Sequence, residues 1–191
     1  SKAKEAGVDF YKSFCKGKIL TTDSRTAELV KLTENAYRDV NIAFSNEISM
    51  ICDELKINDR EIVKLANFHP RVNILAPGCG VGGHCIAVDP WFIAAKSPEL
   101  SPLIQAARNV NSEKTLWAIR KINDFVTSYS SDTKTKPRIA CLGITYKPNV
   151  DDLRESPALQ IIEELLLEYD DLMICDPNLR NHESFQLHSV S

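Results

Sequence analysis

The sequence predicts an α/β fold in which a helical middle domain, built on one long helix, is followed by a partial parallel β-sheet. Two observations predict it. Residues 26–55 contain neither Gly nor Pro and carry apolar side chains on more than one face, as a long buried helix does. Residues 138–176 contain a short apolar run, an amphipathic segment and a second apolar run, which is the pattern of two parallel strands joined by a crossover helix.

The first elements follow from local signals. The stretch "AGVDFYKSFCKG" predicts a helix that ends near Gly17, and "KILTTDS" predicts a short strand after it. Either Asp23 or Ser24 can cap the long helix. A further helix is predicted from Asn58 to about Asn67, because Asn58 and the glutamate three residues later resemble a capping box.

Two Pro residues mark the next helices. In Asp89-Pro90 the aspartate is predicted to cap a short helix, "PWFIAAK", with the proline at its first position. Ser101-Pro102 predicts the same start for a helix that runs to about Tyr129. Residues 130–138, "SSDTKTKPR", then read as a linker.

The last part of the chain reads as a β-α-β unit. Its strands are "RIACLG" and "LMICD", and its helix, "SPALQIIEELLLEY", is capped by Ser156 with Pro157 at the first position. Such a unit implies a parallel sheet, here with only its first two strands.

Binding residues of a β-α-β unit belong at the carboxyl ends of its strands, here the loop between Gly143 and Ser156. Lys147 and Arg154 are its cations, and together with the free N–H groups of the helix start they suit a phosphate or pyrophosphate. The alternative is a solvated loop whose charges pair with one another, formed by Asp151, Asp152, Arg154 and Glu155.

Composition excludes several classes of protein. With 191 residues, 43% of them hydrophobic, the chain can bury a sizeable core, and a net charge of -3 gives no electrostatic footprint for nucleic acid. No apolar run approaches the roughly 18 residues of a membrane span, and the first residues do not resemble a signal peptide, so a cytoplasmic protein is expected. The six widely spaced cysteines are expected to be free thiols. The chain starts without Met, inside a predicted helix, and stops soon after a β-α-β unit, so we expect a piece of a larger protein.

The segment "GCGVGGHC", residues 78–85, contains four of the seven glycines of the chain. Gly78, Gly80 and Gly83 have the G-x-G-x-x-G spacing of a dinucleotide-binding turn, but Pro77 precedes them and no helix opens smoothly after them. No acidic residue that ends a second strand follows about 20 positions later, where the contact to a ribose should be. The sequence therefore disfavours a dinucleotide turn here.

Cys85 is the candidate nucleophile, because the preceding glycines let the backbone come close to a ligand. His84 could serve as its base. Four residues could instead bind zinc, namely Cys79, His84, Cys85 and Asp89, but the usual paired spacing of ligands is missing, so no metal is expected. On the long helix, Lys31 and Asn35 lie four residues apart on one face, either as ordinary surface or core residues or as donors to an oxyanion.

Three segments together resemble the UDP-glucose/GDP-mannose dehydrogenase family. In chain order they are "AELVKLTENAYRDVNIAFSNE", "PGCGVGGHCIAVDPWF" and "GITYKPNVDDLRESPAL". The resemblance implies that residues 1–23 are the tail of an N-terminal NAD-binding domain, that residues 24–130 form a helical central domain with the cysteine loop and a dimerisation helix, and that residues 137–191 form part of a C-terminal, Rossmann-like UDP-binding domain. It implies a homodimer, and a fragment that is inactive by itself.

The resemblance also implies roles for single residues. Cys85 matches the family's nucleophile, Asp89 the aspartate that orients water or assists as base, and Lys31 and Asn35 the donors that stabilise the oxyanion. The residues implied to contact the UDP-sugar are Arg71, which reaches into the neighbouring subunit's site, the loop glycines Gly78, Gly80, Gly82 and Gly83, and Lys147 and Arg154.

The implied reaction oxidises the C6 alcohol of a UDP-sugar to a carboxylate with two NAD+, through a thiohemiacetal and a thioester on Cys85. The segment "GGHCIAVDPWF" is most similar to family members that act on UDP-N-acetyl-D-mannosamine, with UDP-N-acetylglucosamine and UDP-glucose as alternatives. The product would serve as a precursor of bacterial-type surface polysaccharide. Two other classes stay open on the sequence, a cysteine-dependent acyl-transfer enzyme and a non-catalytic module that binds nucleotide sugars or dimerises.

Overall fold

A pair of 32-residue helices forms the framework of the middle domain, and the side-chain pairs between them show that they run in the same direction. The computed structural model describes residues 2–189. Its elements are, in chain order, α1 (Lys2–Lys12), α2 (Ser24–Leu55), α3 (Asp59–Ala66), α4 (Asp89–Lys96), a 3-10 turn (Pro98–Leu100), α5 (Pro102–Thr133), β1 (Ile139–Leu142), α6 (Pro157–Glu168) and β2 (Leu172–Cys175). The fold class predicted from the sequence is confirmed.

The long helix α2 is predicted correctly, and local chemistry sets its ends. Asp23 is the cap, because its carboxylate accepts the backbone N–H of Thr26 at 3.0 Å. The helix ends where Lys56 adopts a left-handed conformation, with φ at 58°. At the start of α3 the side chain of Asn58 accepts the N–H groups of Arg60 and Glu61, as the sequence indicates.

The first twenty residues differ from the prediction. Helix α1 ends at Lys12 rather than near Gly17, and none of its residues is buried. The predicted strand "KILTTDS" is wrong, since residues 18–23 have no regular structure. A strand requires a neighbour for its backbone N–H and C=O groups, and both strands of the described chain lie at its other end, paired with each other.

The helix starts predicted at Asp89-Pro90 and at Ser101-Pro102 are only partly correct. Asp89 does not cap α4 but is its first residue, and Val88 occupies the cap position without a side-chain bond. Ser101 does occupy the cap position of α5, yet its hydroxyl donates to the carbonyl of Ser97 at 2.8 Å instead of capping the helix. Helix α5 continues to Thr133, so the predicted linker at residues 130–138 begins inside a helix.

The β-α-β unit is confirmed. Strands β1 and β2 pair in parallel, with Ile139 opposite Leu172. Ser156 caps α6 by accepting the N–H of Leu159, and its hydroxyl donates to the carbonyl of Ile144 at 2.7 Å. Ile174 on β2 also forms a single parallel β-bridge with Leu187. The sequence does not predict this bridge.

The hydrophobic core lies between α6 and the sheet. Its buried members are Ile144, Ile161, Ile162, Leu165, Leu172 and Ile174. Helix α6 also packs against α5, and the hydroxyl of Tyr169, just beyond α6, donates to Asn123 on α5 at 3.0 Å. The sheet unit is thereby joined to the helical framework. All six cysteines are free, as predicted. Among the residues that the structure describes, no helix has the length and apolar character needed to span a membrane.

Candidate functional site

Cys85 lies in the tight turn that leads into α4. Its carbonyl accepts the N–H groups of Val88 at 3.1 Å and Asp89 at 2.8 Å, which fixes the backbone at this point. The residue is half-buried. The thiol is therefore held on a short, hydrogen-bonded turn next to the start of a helix.

The carboxylate of Asp89 joins this turn to α2. Its Oδ2 accepts a hydrogen bond from the side-chain amide of Asn35 at 2.6 Å, and Asn35 is only 3% exposed. This contact explains why Asp89 does not cap its own helix. An amide nitrogen carries two hydrogens, so Asn35 has a second one to offer to a ligand.

Lys31, the other predicted donor on α2, is not brought into this cluster. Its ammonium lies 3.5 Å from the carboxylate of Glu34, and its side chain is 65% exposed. Among the described residues, no hydrogen bond or ion pair joins Lys31 to Asp89 or Cys85. A role for Lys31 at the oxyanion stays a prediction.

The glycine loop packs against protein. A Cβ added at Gly80 would lie 2.4 Å from the hydroxyl of Thr115, and one at Gly82 would lie 2.4 Å from the carbonyl oxygen of Glu155. At Gly83, which has φ at 85°, it would lie 2.7 Å from the ring of Tyr146. These glycines therefore allow the cysteine loop to dock closely on α5 and on the loop before α6. Contact of the same glycines with a nucleotide sugar stays a prediction.

The G-x-G-x-x-G spacing does not form a dinucleotide site here. Residues 72–77 form no strand before the glycines, and α4 begins only at Asp89. A dinucleotide turn needs both a strand and a helix whose N-terminus faces the pyrophosphate. The described residues of this loop therefore do not fit NAD.

The two predicted phosphate-binding cations in the loop before α6, Arg154 and Lys147, have different partners. The guanidinium of Arg154 contacts both carboxylate oxygens of Asp152, its Nη2 at 2.6 Å from Oδ2, while Lys147 is exposed and lies 5.4 Å from the ring centroid of Tyr146. His84 faces Asp152 at 3.8 Å rather than Cys85. The alternative of a self-paired loop is thus correct for Arg154 and Asp152. An anion would have to compete with Asp152 for Arg154.

The ion pair between Asp152 and Arg154 leads to a prediction about the pKa of Asp152. Hydrogen bonds and charge from Arg154 lower the pKa of Asp152 to about 2 from its ordinary 3.8. Because the folded-state pKa lies below the unfolded value, the pair stabilises the fold above about pH 4 and this contribution is lost as the pH falls toward 2. We expect Arg154→Gln to return the pKa of Asp152 toward 3.8, measured by NMR titration of its carboxyl carbon. Lys147→Gln is the control and should leave that pKa near 2; an equal change in both variants would contradict the prediction.

A layer of buried polar side chains between α2 and α5 was missed by the sequence analysis. It contains Asp39, Asn46, Ser49, Arg108, Asn111, Lys114 and Thr115. Arg108 donates to Asp39 at 2.6 Å, and Thr115 donates to the carbonyl of Cys79 at 2.8 Å. In the sequence these polar residues recur every three, four or seven positions. A helix face exposed to solvent shows the same spacing, so the spacing alone does not indicate a buried layer.

Arg71 and Cys79, two further residues considered from the sequence, differ in their exposure. Arg71 is exposed and follows α3, where its backbone N–H lies 3.3 Å from the ring nitrogen of His69. Burial raises the pKa of the Cys79 thiol, which disfavours its thiolate. Within residues 2–189 no three His, Cys, Asp or Glu side chains come together in a way that could hold a metal ion.

Comparison with known families gives matches over most of the chain. Residues 25–113 match the central domain of the UDP-glucose/GDP-mannose dehydrogenase family, and residues 140–190 match the UDP-binding domain of the same family.

Three curated relatives are about half identical to this chain. The UDP-N-acetyl-D-mannosamine dehydrogenase of Campylobacter jejuni is 50% identical over 94% of this chain and 43% of its own length. That of Salmonella typhimurium is 51% identical over 89% of this chain and 41% of its own length. The NDP-N-acetyl-D-galactosaminuronic acid dehydrogenase of Ralstonia nicotianae is 48% identical over 94% of this chain and 41% of its own length. The chain thus spans less than half the length of these relatives.

Solved structures give the same match. The UDP-D-ManNAc dehydrogenase of Pyrococcus horikoshii superposes with a TM-score of 0.83 at 39% identity, over 96% of this chain and 44% of that one. The UDP-N-acetyl-mannosamine dehydrogenase of Staphylococcus aureus superposes with a TM-score of 0.81 at 46% identity, over 93% of this chain and 41% of that one.

Proposed function

This chain belongs to the UDP-glucose/GDP-mannose dehydrogenase family, and from that membership we propose that it carries the covalent catalytic site and part of the nucleotide-sugar site of a UDP-sugar 6-dehydrogenase. One observation carries the proposal. The turn of Cys85 is tied to α2 through Asp89 and Asn35, and the glycine loop before it is docked on the loop before α6. A nucleophile and a candidate phosphate-binding loop are thereby held side by side.

The overall reaction is the oxidation of a C6 alcohol to a carboxylate. A nicotinamide cofactor, bound outside the described residues, would accept one hydride in each of two oxidations. The residues of this chain act on the aldehyde between them. The Cys85 sulfur adds to the aldehyde carbon and the carbonyl oxygen becomes the hydroxyl of a thiohemiacetal. After the second oxidation has made a thioester, water attacks it and releases the acid and the thiol.

Asn35 and Asp89 suit the charges that develop at this carbon. The second amide hydrogen of Asn35 is a donor for the oxyanion that forms when sulfur adds, and Lys31 would supply a further donor by leaving Glu34. Asp89 accepts from Asn35 and so fixes the direction of that amide. Its other carboxylate oxygen can orient the water that hydrolyses the thioester. Removal of one oxyanion donor typically costs ~10²-fold in rate.

We assign the UDP moiety to the exposed cations of the loop before α6. Lys147 is free to approach a phosphate, whereas Arg154 would exchange Asp152 for the ligand. Arg71 would contact the site of a neighbouring subunit. The sugar we propose is UDP-N-acetyl-D-mannosamine, in line with the names of the Campylobacter and Salmonella relatives. The Ralstonia relative has a different sugar in its name at 48% identity, so the substrate has to be tested directly.

We also propose a homodimer that forms through α2. Val30, Tyr37, Phe44 and Ile51 are 45% to 68% exposed and follow each other every seven residues along this helix. Side chains with that spacing share one face, and a second helix with the same face could bury them. Sedimentation of the chain as a monomer at all concentrations would contradict this part of the proposal.

Cysteine-dependent acyl transfer receives no support from the geometry. A base for Cys85 would have to lie within hydrogen-bond reach of the thiol. His84 instead faces Asp152, and half of its side chain is exposed.

The test is the number of NADH formed per sugar. A chimera in which this chain replaces the matching 180 residues of the Campylobacter jejuni relative provides the remaining parts of the enzyme. We expect two NADH per UDP-N-acetyl-D-mannosamine, and slower turnover of UDP-N-acetylglucosamine and UDP-glucose. With the unaltered relative active in parallel, one NADH per sugar would contradict covalent catalysis by Cys85. No turnover of any UDP-sugar would contradict the proposed function.

A further inference from the structure

The start of the cysteine loop is hydrogen-bonded to a fully buried amide on α2. Asn46 has no exposed surface, and its Oδ1 accepts the backbone N–H of Gly78 at 2.8 Å. Its Nδ2 donates to Oδ1 of Asn111 on α5 at 2.9 Å. Asn46 therefore connects the loop to both long helices through one planar group.

Two hydrogen bonds away from Asn46, Asp39 determines which way the side-chain amides of Asn111 and Asn46 point. Asn111 donates through its Nδ2 to the carboxylate of Asp39 at 2.8 Å and to the carbonyl of Asp39 at 3.1 Å. A carboxylate only accepts, so Asn111 must turn its oxygen toward Asn46. Asn46 in turn must donate to Asn111 and present its own oxygen to Gly78. Burial raises the pKa of the Asp39 carboxyl, and Arg108 opposes this effect by donating to Oδ1 at 2.6 Å. Oδ1 accepts from both Arg108 and Asn111, and so it starts the chain of bonds as an acceptor.

A second bond fixes the next residue of the loop. The hydroxyl of Thr115 donates to the carbonyl of Cys79 at 2.8 Å. The backbone of residues 78 and 79 is thus held at its N–H by α2 and at its carbonyl by α5. Six residues later the same loop delivers Cys85 to its turn.

We propose that Asp39, Asn111 and Asn46 form a polarised hydrogen-bond relay that sets the position of the cysteine loop, which makes Asn46 a positioning residue for Cys85. The catalytic importance of Cys85 rests on the proposed function. The position of the loop does not, because it is a property of the folded chain and can be measured without substrate or cofactor.

The test is the substitution Asn46→Asp, which keeps the shape of the side chain. When the carboxyl group introduced in N46D is ionised, it has no hydrogen for Asn111, whereas in its protonated form it can donate to Asn111 and still accept from Gly78. The charged and titratable groups around this position are Asp39 on α2, Arg108 and Lys114 on α5, and Cys79 in the loop. The relay should therefore be intact in N46D below the pKa of the new carboxyl and be lost as the pH rises through it. Asn46→Leu cannot donate at any pH and is the matched control.

The measurement is the alkylation of Cys85 by iodoacetamide in the 191-residue chain, followed by peptide mass spectrometry. Cys15, exposed and just beyond α1, is the internal standard, and the wild-type ratio at each pH is the reference. We expect the ratio of Cys85 to Cys15 in N46D to be about tenfold above wild type at high pH, as for the loss of one buried hydrogen bond, and near wild type at low pH. Asn46→Leu should be high at both. A wild-type ratio at every pH, or an equally high one at every pH, in N46D would overturn the relay.

A second variant covers the case in which N46D unfolds at high pH. Asn111→Ala leaves the Asn46 side chain and its bond to Gly78 in place but removes the group that sets the direction of the amide. We expect about a threefold rise in the alkylation ratio, smaller than for the loss of a whole hydrogen bond, with an unchanged far-UV circular dichroism spectrum. A wild-type ratio in Asn111→Ala would overturn the proposal. Failure of the chimera to oxidise UDP-sugars would count only against the proposed function.

Discussion

Replacement of Cys85 by serine in the chimera is expected to lower formation of the acid by ~10³-fold or more, while the first oxidation continues. A serine hydroxyl cannot capture the aldehyde as a thiolate does, and His84, the base considered for this position, lies 3.8 Å from Asp152. The measurement is single-turnover NADH formation with chromatography of the products. We expect one NADH per sugar and an accumulated aldehyde.

Cys79→Ser is the matched control for this experiment. It changes a thiol of the same loop whose pKa is raised by burial and which the proposed mechanism does not use. Its acid yield should stay within about threefold of the parent, since this thiol makes no interaction in the transition state of the proposed reaction. A normal acid yield from Cys85→Ser, or equal losses in the two variants, would remove Cys85 from the mechanism.

The second large effect is expected from Gly82→Ala in the 191-residue chain. The new methyl group would lie 2.4 Å from the carbonyl oxygen of Glu155, 2.8 Å from Cβ of Tyr146 and 2.9 Å from Cδ of Pro157. Backbone cannot yield as a flexible side chain can, so the cysteine loop and the loop before α6 must separate. We expect a loss of about 1–3 kcal/mol in the free energy of unfolding, which lowers the melting temperature by roughly 3–10 °C in a chain of this size.

Gly78→Ala separates this clash from a general intolerance of the loop to alanine. A Cβ at Gly78 would meet only the carbonyl oxygen of Gly80 at 3.8 Å, an ordinary contact. Its melting temperature should stay within about 1 °C of the parent, since such a site has room for a methyl group. Binding of UDP, measured by calorimetry, should weaken in Gly82→Ala, because the two loops that flank the candidate phosphate site separate. Equal melting temperatures for the two variants would contradict the docking of the two loops.

Much of the fold could be predicted because its signals are local. The absence of Gly and Pro in residues 26–55 sets α2, Asp23 and Asn58 cap their helices, and Ser156-Pro157 starts α6. Each signal acts between residues a few positions apart, so the chain itself contains both partners. The strand predicted at "KILTTDS" failed for the opposite reason, since a strand depends on a neighbour that local sequence does not supply.

The candidate site could be predicted only in part. The family motifs identify Cys85, Asp89 and Asn35, and the structure joins the last two by a hydrogen bond across 54 positions. The motif glycines are also found together, but three of them have protein as their nearest neighbours, which spacing alone does not indicate. Lys31 and Arg71 match the motifs and lie outside the cluster that the structure assembles.

By itself the sequence determined the helices and their caps, the parallel β-α-β unit, the free thiols and the family motifs, because periodicity, capping and steric limits act over one or two helical turns. Only the tertiary structure decided that Asp89 binds Asn35, that Arg154 pairs with Asp152, and that the polar faces of α2 and α5 meet each other rather than water. A polar side chain looks the same in sequence whether its partner is solvent or a residue 65 positions away. The choice is made when two helices pack, since a buried donor or acceptor without a partner is too costly to keep.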